Sequence, residues 1–203
     1  MNLKYKPDDR LSEQEYLEGE LISDIKHELI DGYAYAMAGA SKNHERVTGN
    51  LFARLYSHLE NSPCEPFASD IKVKVGEDFY YPDVMVVCND KSDNEYYTDS
   101  PIIIVEVLSK STRRKDQALK RRAYQSLPSL QEYVLIEQDF VEVEVCRKSQ
   151  SWQSEHYFLG DEVRFESIDL SVPVEMIYSR VVNEEMTEFL AQQQLVIDEA
   201  NAG

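Results

Sequence analysis

Two apolar segments constrain the fold of this chain more than any other feature of its sequence. Residues 80–88 (YYPDVMVVC) and 101–108 (PIIIVEVL) are almost continuously apolar, as is typical of central strands buried on both faces of a sheet. The polar loop 89–100 joins them, so we expect the two strands to be neighbours. Each strand also carries one carboxylate, Asp83 or Glu106, where apolar patterning alone would not place it.

These two carboxylates predict a metal site. A lone carboxylate in a buried strand costs several kcal/mol unless it is paired, protonated or bound to a metal. Two carboxylates on adjacent strands also repel one another unless a divalent cation lies between them. Mg²⁺ prefers carboxylate oxygens, a backbone carbonyl and water as ligands. We therefore expect Asp83 and Glu106 to hold Mg²⁺ (or Mn²⁺), which would activate a bound water for attack on phosphorus.

Hydrolysis of a phosphodiester also favours a positive side chain beside the developing charge. Lys120 can supply it from a helix predicted over residues 112–126, where it shares a face with Asp116 and Tyr124. Helices rich in Lys and Arg are usually solvated, however, so other basic side chains of this helix are alternatives: Arg113, Lys115 and Arg121.

The rest of the chain alternates between the helical and the strand period. Predicted helices cover residues 12–19, 42–60, 112–126, 173–180 and 184–200. Predicted strands flank a turn at Asp31-Gly32 and cover residues 69–75, 132–138, 141–147, 152–159 and 162–165. We see no repeat, low-complexity tract or linker, so we expect one α+β domain over residues 1–203 with a mixed central β-sheet flanked by helices.

The motifs around both carboxylates resemble a known nuclease signature. Pro82-Asp83 followed by Glu106-Val107-Leu108 is similar to the PD-(D/E)xK motif, with Leu108 at its usual lysine position. Several segments in order resemble the Uma-type restriction-endonuclease family, which is widespread in cyanobacteria: HELIDG (27–32), NHERVTGNL (43–51), YYPDVMVV (80–87), VEVLSKSTRRKDQALKRRAYQ (105–125) and LQEYVLI (130–136). The resemblance covers residues 10–180.

This resemblance implies a restriction-endonuclease-like fold, α/β/α-like in its layers, and a role for each matching residue. Asp83 and Glu106 match the metal ligands, and the carbonyl of Val107 is the implied third ligand. Lys120 matches a lysine that has moved onto the helix after the Glu106 strand, and Glu28 matches a supporting acid near the metal. The implied activity is an Mg²⁺-dependent endonuclease that cleaves DNA.

Some of these side chains also have a purely structural interpretation. Asp83 would then be a turn residue at a strand edge, and Glu28 a surface carboxylate of the hairpin. Tyr124 more often supports helix packing than catalysis, and His44 is interpreted as a residue at a helix start and not as a base. The alternative function is a nuclease-fold module that binds nucleic acid or a protein partner with little or no catalysis.

Charge bears on the choice of partner. The formal net charge of −17 opposes binding to nucleic acid on bulk electrostatics. The segment 110–122 nevertheless holds seven of the 21 basic side chains, which predicts one basic patch on an acidic body. We expect a homodimer or another assembly partner, because the chain has an acidic helix predicted over 184–200 and exposed sheet edges.

Two further expectations concern location and the cysteines. No stretch approaches the about 20 apolar residues of a membrane span, and the first 17 residues lack the apolar core of a signal peptide. The three cysteines form neither a CxxC pair nor a disulfide framework, and the apolar runs ending at Cys88 and Cys146 predict small buried hydrophobic residues. We expect a cytoplasmic location.

Overall fold

The computed structural model describes residues 10–90, 94–109, 113 and 116–202. The helices are α1 (Glu13–Glu20), α2 (Lys42–Leu59), α3 (Arg121–Gln125), α4 (Val174–Ile177) and α5 (Glu184–Ala202), with a π-helical turn at Asp116–Lys120 directly before α3. The strands are β1 (His27–Ile30), β2 (Tyr33–Ala36), β3 (Cys64–Ala68), β4 (Lys72–Val75), β5 (Asp78–Tyr80), β6 (Val84–Cys88), β7 (Tyr97–Thr98), β8 (Pro101–Leu108), β9 (Glu132–Glu137), β10 (Val143–Arg147), β11 (Ser154–Tyr157), β12 (Glu162–Phe165) and β13 (Leu170–Pro173).

The strands of this described part form three sheets. A six-stranded sheet has the order β11-β10-β9-β8-β6-β3 and is mixed, because β8 and β9 are parallel while its other pairs are antiparallel. A five-stranded sheet has the order β2-β1-β5-β4-β7, and β12 pairs with β13. The predicted α+β class with a mixed central sheet and flanking helices is confirmed, although the strands are divided between two larger sheets.

The central strands of the six-stranded sheet, β6, β8 and β9, are buried on both faces, which explains why β6 and β8 are continuously apolar. Alternate residues of β6 and β8, such as Val84 and Val105, pack against the apolar stripe of α2: Val47, Leu51, Leu55 and Leu59. The residues between them, such as Met85 and Ile104, point to the other face and pack against Tyr80 of the five-stranded sheet and Tyr124 of α3. Full burial of one such aliphatic side chain stabilises the fold by about 1.5–3 kcal/mol.

The sequence predicts one strand over residues 80–88, but the structure divides this segment between two strands. β5 ends at Tyr80 in the five-stranded sheet, and β6 begins at Val84 in the six-stranded sheet. Pro82 lies between them and has no N–H to donate to a strand ladder. The chain therefore passes from one sheet to the other immediately before Asp83.

Local sequence signals are confirmed near the start of the chain. Ser12 caps α1 in a capping box, because its backbone N–H donates to Glu15 Oε2 at 2.8 Å and its hydroxyl accepts from the Glu15 N–H at 3.3 Å. Asp31 and Gly32 both have positive φ, 52° and 82°, as a type I′ turn between β1 and β2 requires.

The prediction that the chain has no disulfide is wrong. Cys64 on β3 lies directly opposite Cys88 on β6, and the two form a disulfide. β3 is absent from the predicted strands, so nothing in the sequence pattern placed Cys64 beside Cys88. Cys146 is free and buried, as expected. The inference from cysteine usage to a reducing compartment loses its basis.

The predicted C-terminal helix is confirmed as α5, but only its first turns pack on the rest of the chain. Met186 is buried and Phe189 is partly buried against the core that α2 forms with the sheet. Farther along, large apolar side chains are exposed: Leu190, Leu195, Val196 and Ile197. Within the described residues, no helix is long and apolar enough to cross a bilayer.

Candidate active site

A buried ion cluster joins the two larger sheets. Lys120 Nζ lies 2.8 Å from Glu28 Oε1 on β1 and 3.0 Å from Glu106 Oε1 on β8. The hydroxyl of Tyr124 on α3 donates to the same Glu106 oxygen at 2.9 Å. All four residues are buried, with Glu28 and Glu106 each 3% exposed. The structure thus brings together three of the predicted site residues, and it adds Tyr124, which the sequence favours as a helix-packing residue.

Strand alternation and helix spacing place these side chains. Glu106 has the parity of Ile104 and Leu108, which face the five-stranded sheet, so its carboxylate points between the sheets. Lys120 is the last residue of the π-helical turn, and Tyr124 follows four residues later on the same face. π-helical turns are rare and occur often at functional sites.

Asp83 lies at the edge of this cluster, where the chain enters the six-stranded sheet. Its Oδ2 accepts a hydrogen bond from the backbone N–H of Val107 at 2.6 Å. Its Oδ1 lies 3.2 Å from Nε2 of His44, and its side chain is 15% exposed. Asp83 is therefore less buried than Glu28 and Glu106, and both of its oxygens have protein partners.

The register of β6 and β8 explains why Asp83 lies beside Glu106. Val84 is opposite Val105, and β6 begins at Val84. Asp83, the residue before β6, is thus level with Glu106. Its carboxylate accepts the hydrogen bond from the Val107 N–H, in place of the backbone carbonyl that a longer β6 would offer. The backbone register therefore places Asp83 level with Glu106 at one end of the adjacent strands.

The sequence did not predict the contact that the His44 side chain makes with Asp83. His44 is near the start of α2, as predicted, and Ser41 caps that helix by accepting from the His44 N–H at 3.1 Å. The imidazole also reaches Asp83, which belongs to a different element 39 positions later. A polar residue in the first turn of a helix is ordinary, so the sequence held no signal for this contact.

The family of the chain follows from a match that covers most of this structure. The model of the Uma2 family, described as "Putative restriction endonuclease", matches residues 13–175. The chain belongs to the Uma2 family. The predicted family is therefore confirmed, and the match includes all of the residues in the ion cluster.

Relatives and a solved structure agree with this assignment. The Uma2 chain is 36% identical over 178 residues to the "Uncharacterized protein slr1290" of Synechocystis sp., with 85% of this chain and 93% of the relative covered. It is 38% identical over 143 residues to "Uncharacterized protein sll1609" of the same organism, with 68% and 81% covered. A crystal structure from Anabaena variabilis, titled "a putative nuclease belonging to DUF820", has a TM-score of 0.68 at 18% identity and covers 85% of this chain and 99% of its own. This likeness shows the restriction-endonuclease-like fold.

Electrostatics in the Uma2 cluster keep Tyr124 protonated. Burial raises the pKa of Tyr124 well above its ordinary value, and the charges of Glu106 and Glu28 raise it further. Its hydroxyl therefore remains a donor to Glu106 at neutral pH. Among the described residues of the site, Glu28 and Glu106 contact the ammonium group of Lys120, and Asp83 contacts the imidazole of His44.

The donor set suits Mg²⁺ or Mn²⁺ better than a metal held by side chains alone. Among the residues that the structure describes, no three His, Cys, Asp or Glu side chains are arranged to hold a metal ion. Asp83 and Glu106 supply one carboxylate each, and Mg²⁺ commonly binds through one or two carboxylates while keeping several waters. Asp83 and Glu106 are thus the residues that would hold such an ion, and the expected metal stays a prediction.

The basic segment 110–122 lies partly outside the described residues. Within the described part, Arg113 forms two hydrogen bonds of 2.6 and 2.5 Å to Glu137, and Arg121 pairs with Glu144 at 2.7 Å. Among the described basic residues of this segment, Lys120 is the one whose contact with Glu106 is observed, whereas Arg113 and Arg121 pair with carboxylates elsewhere. Lys115 lies outside the described residues.

Proposed function

We propose that this Uma2 chain is a divalent-metal-dependent endonuclease that hydrolyses DNA phosphodiester bonds. The observation that carries the proposal is the buried cluster in which Lys120 contacts Glu28 and Glu106 beside the carboxylate of Asp83. The family description and the fold of the solved neighbour support a nuclease-like function.

Asp83 and Glu106 are the side chains that we propose hold Mg²⁺ or Mn²⁺, with the carbonyl of Val107 as a third ligand. The N–H and C=O of one strand residue point to the same side, and the Val107 N–H donates to Asp83. On this geometry the Val107 carbonyl is on the edge of β8 that Asp83 contacts, which supports it as the third ligand. When bound, such an ion polarises a phosphoryl oxygen and lowers the pKa of a coordinated water.

The other residues orient and balance the charge of this pair. Lys120 places its ammonium group against Glu106, where it can stabilise negative charge that develops on the phosphate. Glu28 holds Lys120 in position from β1, and the Tyr124 hydroxyl fixes one oxygen of Glu106. The reacting group would approach from the Asp83 side, because that carboxylate is the partly exposed member of the set.

DNA is the substrate that we propose on the family description and on the basic segment 110–122. The net charge of −17 predicts weak binding, because only a local cluster of cations can meet the phosphates. Cleavage assays with DNA and RNA of the same sequence in parallel separate the two substrates.

A decisive experiment is nicking of supercoiled plasmid DNA with Mg²⁺ or Mn²⁺. We expect wild type and the exposed control Glu65→Ala to nick the plasmid. Asp83→Ala and Glu106→Ala should lose nicking activity by at least about 100-fold, since mutation of even the supporting residues of a metal site lowers metal affinity or activity by about 10–100-fold. Equal activity in all four proteins would overturn the proposal.

The alternative of a binding module without catalysis is supported by one observation. Lys120 is held between two buried carboxylates, an arrangement that also neutralises Glu106 without a metal. Titration of the wild-type chain with Mn²⁺ discriminates between the two functions. Saturable binding at or below millimolar Mn²⁺ supports the nuclease, and its absence together with retained DNA binding supports the module.

A second copy of the chain is the partner that we propose for α5. Its apolar side chains Leu195 and Val196 are 63% and 66% exposed, which is unfavourable for a helix with no cover. Measurement of the mass in solution should give a dimer for the full chain and a monomer for Leu195→Glu. A wild-type monomer at high protein concentration would contradict it.

A further inference from the structure

We propose that His44 is a positioning residue: its imidazole fixes the carboxylate of Asp83 in the orientation that binds the metal. The inference rests on the proposed function and names a residue that supports the same site. Its starting point is the 3.2 Å distance between His44 Nε2 and Asp83 Oδ1.

Two different elements hold the two oxygens of Asp83. The N–H of Val107 on β8 donates to Oδ2 at 2.6 Å, and His44 on α2 contacts Oδ1. With both oxygens engaged, the carboxylate cannot rotate without losing one contact. A carboxylate has about four lone-pair sites, so the Val107 hydrogen bond and the His44 contact leave acceptor capacity for a cation.

The start of α2 is itself attached to the strand that carries Glu106. The Ser41 hydroxyl, which caps the helix at His44, also donates to Oε1 of Gln138. The buried amide of Gln138 in turn donates to the carbonyl of Leu108 at 3.1 Å. These bonds fix the first turn of α2 relative to the end of β8, so the imidazole, Asp83 and the backbone beside Glu106 keep a constant geometry.

The His44–Asp83 contact adds little to stability. The helix is already capped by Ser41 and held by the buried stripe of Val47, Leu51 and Leu55. The two side chains are 16% and 15% exposed, so solvent can partly replace their contact when it is lost. Groups that hydrogen-bond a ligating carboxylate are worth about 10–100-fold in metal affinity. Metal affinity is therefore the property that should respond to His44.

The test compares two amides that differ by one methylene group. The side-chain nitrogen of Gln reaches the position of Nε2, whereas that of Asn is one bond shorter and matches Nδ1. We expect His44→Asn to raise the Kd for Mn²⁺ by about 10–100-fold in a calorimetric titration of the full chain. His44→Gln should restore most of the affinity.

The matched control is His58→Asn on the same helix. The His58 ring contacts the carbonyl of Ile168, far along α2 from Asp83, so its loss should leave Mn²⁺ binding unchanged. Thermal unfolding of all variants without metal should show similar midpoints for His44→Asn and His44→Gln. A difference in affinity between these two variants then reports orientation of Asp83 and not folding.

The outcomes separate this inference from the proposed function. Wild-type affinity in His44→Asn, or equal weakening in His44→Asn and His44→Gln, overturns the role of His44 while the metal site stands. A wild-type chain that binds no Mn²⁺ overturns the proposed function and this inference with it. Weakening in His58→Asn equal to that in His44→Asn would also overturn the role, because it would show a general effect of changing α2.

Discussion

Two regions of the molecule bury a cation among carboxylates, yet only one has the features of a site. In the first, Lys120 lies between Glu28 and Glu106. In the second, which we call the arginine network, Arg147 is 1% exposed and contacts the carboxylates of Glu132, at 3.4 Å, and Glu155. Its Nη2 also donates to the hydroxyl of Tyr157 at 2.9 Å and to the carbonyl of Arg164 at 2.6 Å.

The difference lies in what else the carboxylates bind. Glu132 of the arginine network accepts the backbone N–H groups of Glu166 and Ser167 at 3.0 and 3.1 Å, so its charge fixes the segment after β12. Around Lys120, side chains from β1, β8 and α3 converge next to the partly exposed Asp83. A buried ion pair alone therefore does not identify a functional site, because in the arginine network the buried carboxylate of Glu132 is already engaged by backbone N–H groups.

The largest effect should come from the arginine network. Arg147→Met would leave Glu132 buried without its cation, which costs about 3–5 kcal/mol. Urea unfolding measures the loss, with Lys148→Met, an exposed neighbour, as the control. Below its unfolding transition, the Arg147 variant should keep plasmid nicking. Unchanged stability would show that this network is not structural.

A smaller effect, reversible by metal, should follow from Lys120→Met. Two buried carboxylates lose their cation, but Tyr124 still donates to Glu106, so we expect a loss of about 2–4 kcal/mol without divalent ions. Because the proposed metal binds Glu106, Mn²⁺ should raise the unfolding temperature of this variant more than that of wild type. An equal rise in Arg147→Met would remove the distinction between the two regions.

The smallest effect should be that of Tyr124→Phe. It removes a hydrogen bond to a charged group and should cost about 1.5 kcal/mol at pH 7, with the exposed Tyr56→Phe as control. Burial, with Glu106 and Glu28, raises the pKa of Tyr124 in the folded state, so wild type loses stability as the pH rises above about 10, where the unfolded tyrosine ionises. The difference from Tyr124→Phe should therefore narrow from pH 9 to 11 in urea unfolding, and a constant difference would contradict the raised pKa.

The sequence by itself determined the elements whose signals are local. The capping box of Ser12 and Glu15, the Asp31-Gly32 turn and the apolar stripe of α2 each lie within a few residues, and all three are observed. The cost of burying a carboxylate singled out Glu106 in the same way, because the apolar residues around it already specify a buried strand.

Only the tertiary structure decided which of these elements meet. The passage between sheets at Pro82, the disulfide of Cys64 and Cys88, and the contact of His44 with Asp83 all depend on how strands and helices pack. The same holds for Lys120, whose placement against Glu106 the family resemblance implied but no local pattern required. Side chains far apart in the chain are brought together by burial of apolar faces, and a polar residue in a sequence carries no record of the partner that this burial gives it.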